Sequence, residues 1–337
     1  MLKDYLLKLS AIGFCVSRTS VPLIAKDIFD EASQKTNFKD NLPSVKWVYR
    51  FFSKNPELTT GQPDYMNFQN RDVNQRVIRD WFTNLMDYLH LNHGINAEEF
   101  LVEQNGCRIF NLNEFGIPLY DNCRKQNIIT AKDLKLMYKN NPNNGELITI
   151  FTCISANGIY YNPCAIFPQR DNRFNQLEFF PDNFDQDQSI NGSATSDNFY
   201  NWLSKIFFCT VEHRVQFPII IFMHGHTNLI NKSVLQFCKE KQIILYCFPP
   251  QLSPIINPTD VTIFSHLEEF WLQSMEKFYE VSRNASFDKR CFFSIFDEVW
   301  IRVKNIPGLV KEGFQRAGLV PFDPDIIDFN KIKNTIM

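Results

Sequence analysis

Two continuous apolar runs, PIIIFMHG (218–225) and IILYCFPP (243–250), bracket a helical pattern, NKSVLQFCKEKQ (231–242). Strands with no polar alternation must be covered on both faces, so the chain is constrained to a sheet with helices on each side. Upstream lie three further β-rich runs, CRIFNLNE (107–114), ELITIFTCISANG (146–158) and YYNPCAIFP (160–168). The last two are joined by the turn signal Ala156-Asn157-Gly158. An aromatic-rich helix is predicted over Ser196–Val211, and a long helix begins near Thr259 and runs through FSHLEEFWLQSMEKFYEVS. The order is three strands, helix, strand, helix, strand, helix, which is α/β.

The first 95 residues read as helices only. Thr19 or Ser20 can cap VPLIAKDIFDEASQ, with Pro22 tolerated in its first turn, and Ser44 can cap VKWVYRFFSKN. A third helix, Asp72–Leu91, is predicted to align Val73, Val77, Trp81, Leu85 and Leu89 on one face. TTGQPDYMNFQN between them reads as a loop.

Composition narrows the function classes. With 44% hydrophobic residues, 15% aromatics and 33 Phe in 337 residues, the chain is built to bury a core. No Gly-rich phosphate loop is present. The formal charge of −2 gives no global basic field, so nucleic acid would have to meet a local patch. Nine cysteines are scattered with no CxxC pair, which fits buried thiols in a reducing compartment. The start, MLKDYLLKLSAIGFCV, is not expected to be a signal peptide, because Lys8 interrupts its apolar run. No run of about 18 apolar residues appears, so a soluble intracellular protein without a membrane partner is expected.

The chemistry is concentrated in three stretches: FNLNEFG around Asn113, IIIFMHGHTN around His224, and PPQLSPIINPTDVTIF containing Asp260. Two-metal phosphoryl transfer brings carboxylates from separate elements onto Mg²⁺ or Mn²⁺, since these hard cations prefer oxygen ligands. The end of the first strand, the end of the fourth strand and the start of the last long helix would supply them. Here these positions hold Asn113, His224 and Asp260.

In this order the stretches resemble the DDE transposase domain of the pogo, Tigger and jerky group, an RNase H-like mixed sheet flanked by helices. GELITIFTCISANGIYYNPCAIFP, SATSDNFYNWL and GFQRAGLVPFDPD are also similar to that family. Residues 17–92, centred on VKWVYRFFSKNPEL, resemble the second half of the tandem helix-turn-helix of centromere protein B and its relatives. The resemblance implies two domains: residues 1–95 as a partial helix-turn-helix and 105–337 as the DDE body. It further implies a nuclear protein that binds double-stranded DNA weakly through half of a bipartite reader. Over residues 1–95 there are 12 Lys and Arg against 10 Asp and Glu. Lys46, Arg50, Lys54, Arg71, Arg76 and Arg79 are the candidate phosphate contacts.

The sequence departs from the family where it matters. Asn113 replaces the first acid and His224 the second, His226 is retained, Leu229 stands where a later His is usual, and only Asp260 survives. Glu114 cannot stand in for Asn113, because neighbours in a strand point to opposite faces. A catalytically degenerate nuclease is therefore expected, with no cofactor, and with Mg²⁺ or Mn²⁺ only if activity remains. His224, His226 and Asp260 form an alternative ligand set for Zn²⁺ or Fe²⁺. The alternative functions are a scaffold that associates with itself or a protein partner, and an active divalent-metal nuclease.

Overall fold

A computed structural model describes residues 1–14, 16–58, 75–118, 147–169, 183–225, 229–281, 287 and 289–327. Four helices, α1 (Leu2–Ala11), α2 (Val21–Glu31), α3 (Val45–Lys54) and α4 (Gln75–His93), and a single turn, α5 (Ala97–Phe100), precede the sheet. Then come β1 (Ile109–Pro118), β2 (Leu147–Ser155), β3 (Ile159–Tyr160), β4 (Cys164–Pro168) and β5 (Asp185–Ser189). Helix α6 (Ser196–Asn201) passes through a π-helical stretch, Trp202–Phe207, into α7 (Phe208–Val211). The chain continues through β6 (Ile219–His224), α8 (Lys232–Glu240) and β7 (Ile243–Phe248). After α9 (Ser253–Ile256), a second π-helical stretch, Thr259–Ile263, opens α10 (Phe264–Val281), followed by α11 (Lys289–Lys304) and α12 (Leu309–Arg316).

The sheet order is β5-β4-β2-β1-β6-β7, with β3 paired to β2. β2 is antiparallel to β1 and β4, whereas β6 is parallel to β1 and β7 parallel to β6. This is the RNase H-like mixed sheet that the order of elements predicts. Both faces are covered, as the unbroken apolar runs require. One face packs Ile109, Ile220, Phe222 and Phe248 against α4, α10, α11 and α12. The other packs Phe110, Leu112, Ile221 and Met223 against the helical run Ser196–Val211 and α8.

The N-terminal helices join this body. Val48 of α3 buries itself with Leu2, Leu6, Val21, Ala25 and Ile28 in a small separate cluster. Leu9 and Ile12 reach from the same region into the core under the sheet. Across the expected boundary at residues 95–105 packing is continuous, because α4 contributes Ile78, Trp81, Phe82, Leu85 and Leu89 to the main core. Val77 is exposed, so the stripe predicted at steps of four is corrected. A step of four advances about 40° beyond a full turn, and a run of such steps winds off the buried face. Val73 lies outside the described residues, as does the loop 59–70.

Other expectations shift by smaller amounts. α2 ends at Glu31 rather than Gln34, and no side chain caps it at Ser20. Ser44 does cap α3, accepting from the Trp47 amide. β1 runs on to Pro118, so Asn113 lies within the strand and not at its end. Cys153, Cys164, Cys238 and Cys247 are buried as expected, but Cys209 is exposed. Among the described residues no helix is long and apolar enough to cross a membrane.

Candidate functional site

The sheet register brings the separated stretches together. Asn111 stands opposite Phe222 in the parallel β1–β6 pair. Two residues further on, past the last paired position, Asn113 and His224 keep the same parity and so project from the same face. Asn111 is fully buried and spends its whole amide locally. Its Nδ2 donates to the Phe222 carbonyl at 3.2 Å. Its Oδ1 accepts from the Thr259 amide at 3.0 Å and from Thr259 Oγ1 at 2.5 Å. That fastens the start of the π-helical stretch to β1 and fixes Asp260, the next residue. Gly313 of α12 lies under the same turn, where an added Cβ would come within 2.7 Å of both the Pro258 carbonyl and Thr262 Oγ1. Gly313→Ala is expected to destabilise the fold by about 1–3 kcal/mol through overpacking. Urea unfolding would measure it, and a neutral result would show that α12 can retreat without cost.

Asp260 is the centre of the cluster. Asn113 Nδ2 donates to its Oδ1 at 2.8 Å, and Ser253 Oγ donates to its Oδ2 at 2.7 Å. Asn257 Nδ2 lies 3.3 Å from Oδ2 and 3.1 Å from Ser253 Oγ. His224 Nε2 is 3.5 Å from Asp260 Oδ2, and 3.3 Å from both Ser253 Oγ and Asn257 Nδ2. The orientation of the Asn113 amide is set by its other end, because Oδ1 accepts from the Glu114 amide at 2.9 Å. Burial by itself would raise the Asp260 carboxyl. Hydrogen bonding and charge from His224, with hydrogen bonds from Ser253 and Asn113, hold it below its ordinary value instead.

This donor set does not fit a pair of divalent cations. Asp260 supplies one carboxylate, and N–H and O–H donors already point at both of its oxygens. Hard cations need several oxygen ligands, and an amide N–H cannot serve as one. Among the described residues no group of three His, Cys, Asp or Glu side chains could hold a metal ion. Glu114 shares strand parity with Phe110 and Leu112, which face the opposite core, so its carboxyl does not join Asn113 and Asp260 on theirs. His226 of the alternative zinc set lies outside the described residues. Ser253, His224 and Asp260 do not form a nucleophilic triad among themselves, since Ser253 and Asp260 both approach the same nitrogen of His224, Nε2.

The candidate DNA contacts divide into two groups. Lys46, Arg50 and Lys54 recur every four residues along α3 and are all exposed. Tyr49 is exposed beside them, with the Arg18 guanidinium 4.8 Å from its ring centre. Arg76 and Arg79 belong to α4 and carry ion pairs, to Asp80 at 3.8 Å and to Asp325 at 2.5 Å. Arg71 lies outside the described residues. Ser253 and Asn257 are site residues that sequence reasoning missed. Both stand in the PPQLSPIINPTDV stretch, seven and three residues before Asp260, and that proximity was the available signal.

Residues 145–278 match the model of the DDE superfamily endonuclease domain. The matched span takes in His224, Ser253, Asn257 and Asp260 and begins after Asn113. The chain is also 25% identical over 192 residues to the MFS-type transporter clz9 of Cochliobolus lunatus. That alignment covers 55% of this chain and only 20% of the relative, about a fifth of its length. Among solved structures, the catalytic domain of Mos1 mariner transposase aligns with 78% of this chain and 98% of its own, at 10% identity and a TM-score of 0.36. A pre-cleavage Mos1 transpososome aligns with 90% of this chain and 99% of its own, at 12% identity and a TM-score of 0.31.

Proposed function

We propose that this chain is a transposase-derived DNA-binding protein of the pogo, Tigger and jerky group, acting in the nucleus, whose DDE-type fold no longer cleaves DNA. One observation carries the reading. At the place where the fold should gather acids, Asp260 is the one carboxylate among the described residues, and Asn113 and Ser253 hydrogen-bond its two oxygens. Without converging carboxylates there is nothing to hold the metal ions that would activate water and stabilise a leaving phosphate oxygen. Binding is supported separately by the exposed Lys46, Arg50 and Lys54 row on α3, whose spacing matches a helix tracking phosphates. The centromere protein B-like character of residues 17–92 belongs to the same proposal.

The test has two arms. Incubation with supercoiled plasmid and Mg²⁺ or Mn²⁺ should leave the plasmid intact. Nicking that disappears in Asp260→Ala would overturn the loss of cleavage. In fluorescence anisotropy with random duplex DNA, three phosphate contacts predict roughly 40-fold weaker binding at ~200 mM than at ~50 mM salt. The combined Lys46→Ala, Arg50→Ala, Lys54→Ala variant should lose most of that salt dependence. Absence of binding at the lower salt would remove DNA as the partner.

A further inference from the structure

We infer that the Asn113–Asp260 cluster is a cation-independent clasp, in which side-chain donors take the place of metal in holding the centre of the fold together. The inference rests on the reading that the site no longer gathers cations, and goes beyond it by giving the remaining residues a present role. Acids brought together on one sheet face repel each other unless a cation lies between them. Here the repulsion is absent because the partners are complementary. Asn113 presents an N–H to Asp260 Oδ1, while Ser253 and Asn257 present donors to Oδ2, and His224 Nε2 closes the ring. Each donor comes from a different place in the chain: β1, the end of β6, α9 and the segment leading into α10. Asp260 itself sits in the π-helical stretch at the head of α10. The clasp therefore joins elements that are far apart in sequence at the point where the two halves of the sheet meet.

The Asn113 amide cannot flip to offer its oxygen to a cation without giving up the Glu114 amide, which its Oδ1 accepts at 2.9 Å. It would also aim an acceptor at the Asp260 carboxylate. The Asn257 amide is held similarly, with its Oδ1 3.3 Å from the Thr259 amide. The Glu114 N–H thus holds the Asn113 amide in the donor orientation that suits an anion and repels a cation, and the Thr259 N–H, which Asn257 shares with Asn111, favours the same orientation at Asn257.

Thermal unfolding of the full chain, with no DNA present, tests this. The wild-type midpoint should be the same in EDTA and in ~5 mM MnCl₂. Asn113→Ala and Asp260→Ala should each lower it by about 5 °C, and the double variant by little more than the larger single effect. Asn113→Asp should place two carboxylates against each other, lower the midpoint in EDTA, and recover on addition of Mn²⁺. If that variant does not fold, the alanine cycle and the wild-type comparison still decide. Additive alanine effects would overturn the clasp. So would a wild-type midpoint that rises with Mn²⁺ and stops rising in Asp260→Asn. Because no DNA enters these measurements, failure of DNA binding would leave the clasp standing, and failure of the clasp would leave the plasmid and anisotropy results to be read on their own.

Discussion

Replacing Trp81 by Ala is expected to lower the unfolding free energy by about 3–5 kcal/mol, although the residue lies in a helix 166 positions before the strand residue that its indole nitrogen bonds. Trp81 is almost fully buried, stacks on Phe248 with ring centres 5.4 Å apart, and meets Tyr246 and Phe82 edge-on. Its Nε1 donates to the Cys247 carbonyl at 3.1 Å. Among the described residues β7 is the last strand of the sheet, and the outward backbone groups at Cys247 pair with the N-terminal segment instead of a strand. The N-terminal segment supplies both partners: the indole takes the carbonyl, and the Cys247 amide donates to the Ile12 carbonyl at 2.8 Å. An exposed sheet edge is a liability that proteins cover, and here helix α4 and the end of α1 cover it. Alanine would leave a large cavity and remove the indole donor from the Cys247 carbonyl. Trp81→Phe would keep most of the stacking and lose only the hydrogen bond, at about 1–2 kcal/mol. Urea unfolding of the two variants separates the contributions. A loss below about 1 kcal/mol for Trp81→Ala would mean that α4 is dispensable to the sheet.

How much of this was legible in the sequence depends on what each element needed. β6, α8 and β7 announced themselves because a sheet buried on both faces demands unbroken apolar runs. β5, with the sequence Asp185-Gln186-Asp187-Gln188-Ser189, gave no such signal. It is an edge strand formed by pairing in parallel with β4, and a polar composition suits an edge while hiding it from pattern reading. Asn113, His224 and Asp260 could be placed because their motifs keep their order along the chain. What could not be read was the convergence of Ser253 and Asn257 on the same carboxylate. Their hydrogen bonds depend on the turn through Pro258 and on the π-helical start of α10, and spacing alone does not reveal that geometry. The faces of β1 were legible from alternation, which placed Glu114 away from Asn113. Its degree of burial, which decides its protonation, was not.

That burial leads to a second large effect: Glu114→Gln is expected to remove a pH dependence of stability. Glu114 Oε2 is buried without a hydrogen-bond partner among the described residues. Burial pushes the carboxyl up from its ordinary 4.5 to about 7, against a smaller opposing pull from His224. In the unfolded chain the group ionises near its ordinary value. Between pH 4.5 and about 7 the folded chain therefore holds a proton that the unfolded chain has released, and stability falls as pH rises. The loss reaches about 3 kcal/mol by pH 8 and is absent at pH 4, where both states are protonated. Asp260 works in the opposite direction: its depressed carboxyl contributes stability above its ordinary value and loses it as the pH falls below. Comparing unfolding free energies of wild type and Glu114→Gln at pH 5 and 8 isolates Glu114, because all other groups are shared. The variant should gain on the wild type as pH rises. A pH-independent difference would mean that Glu114 is solvated and ionised throughout. Two carboxyls displaced in opposite directions often mark an acid and a base working on one substrate. Here Glu114 lies on the face of β1 turned away from the Asn113–Asp260 contact, and the divergence has two causes: burial holds the Glu114 proton up to about pH 7, while His224, Ser253 and Asn113 keep Asp260 ionised.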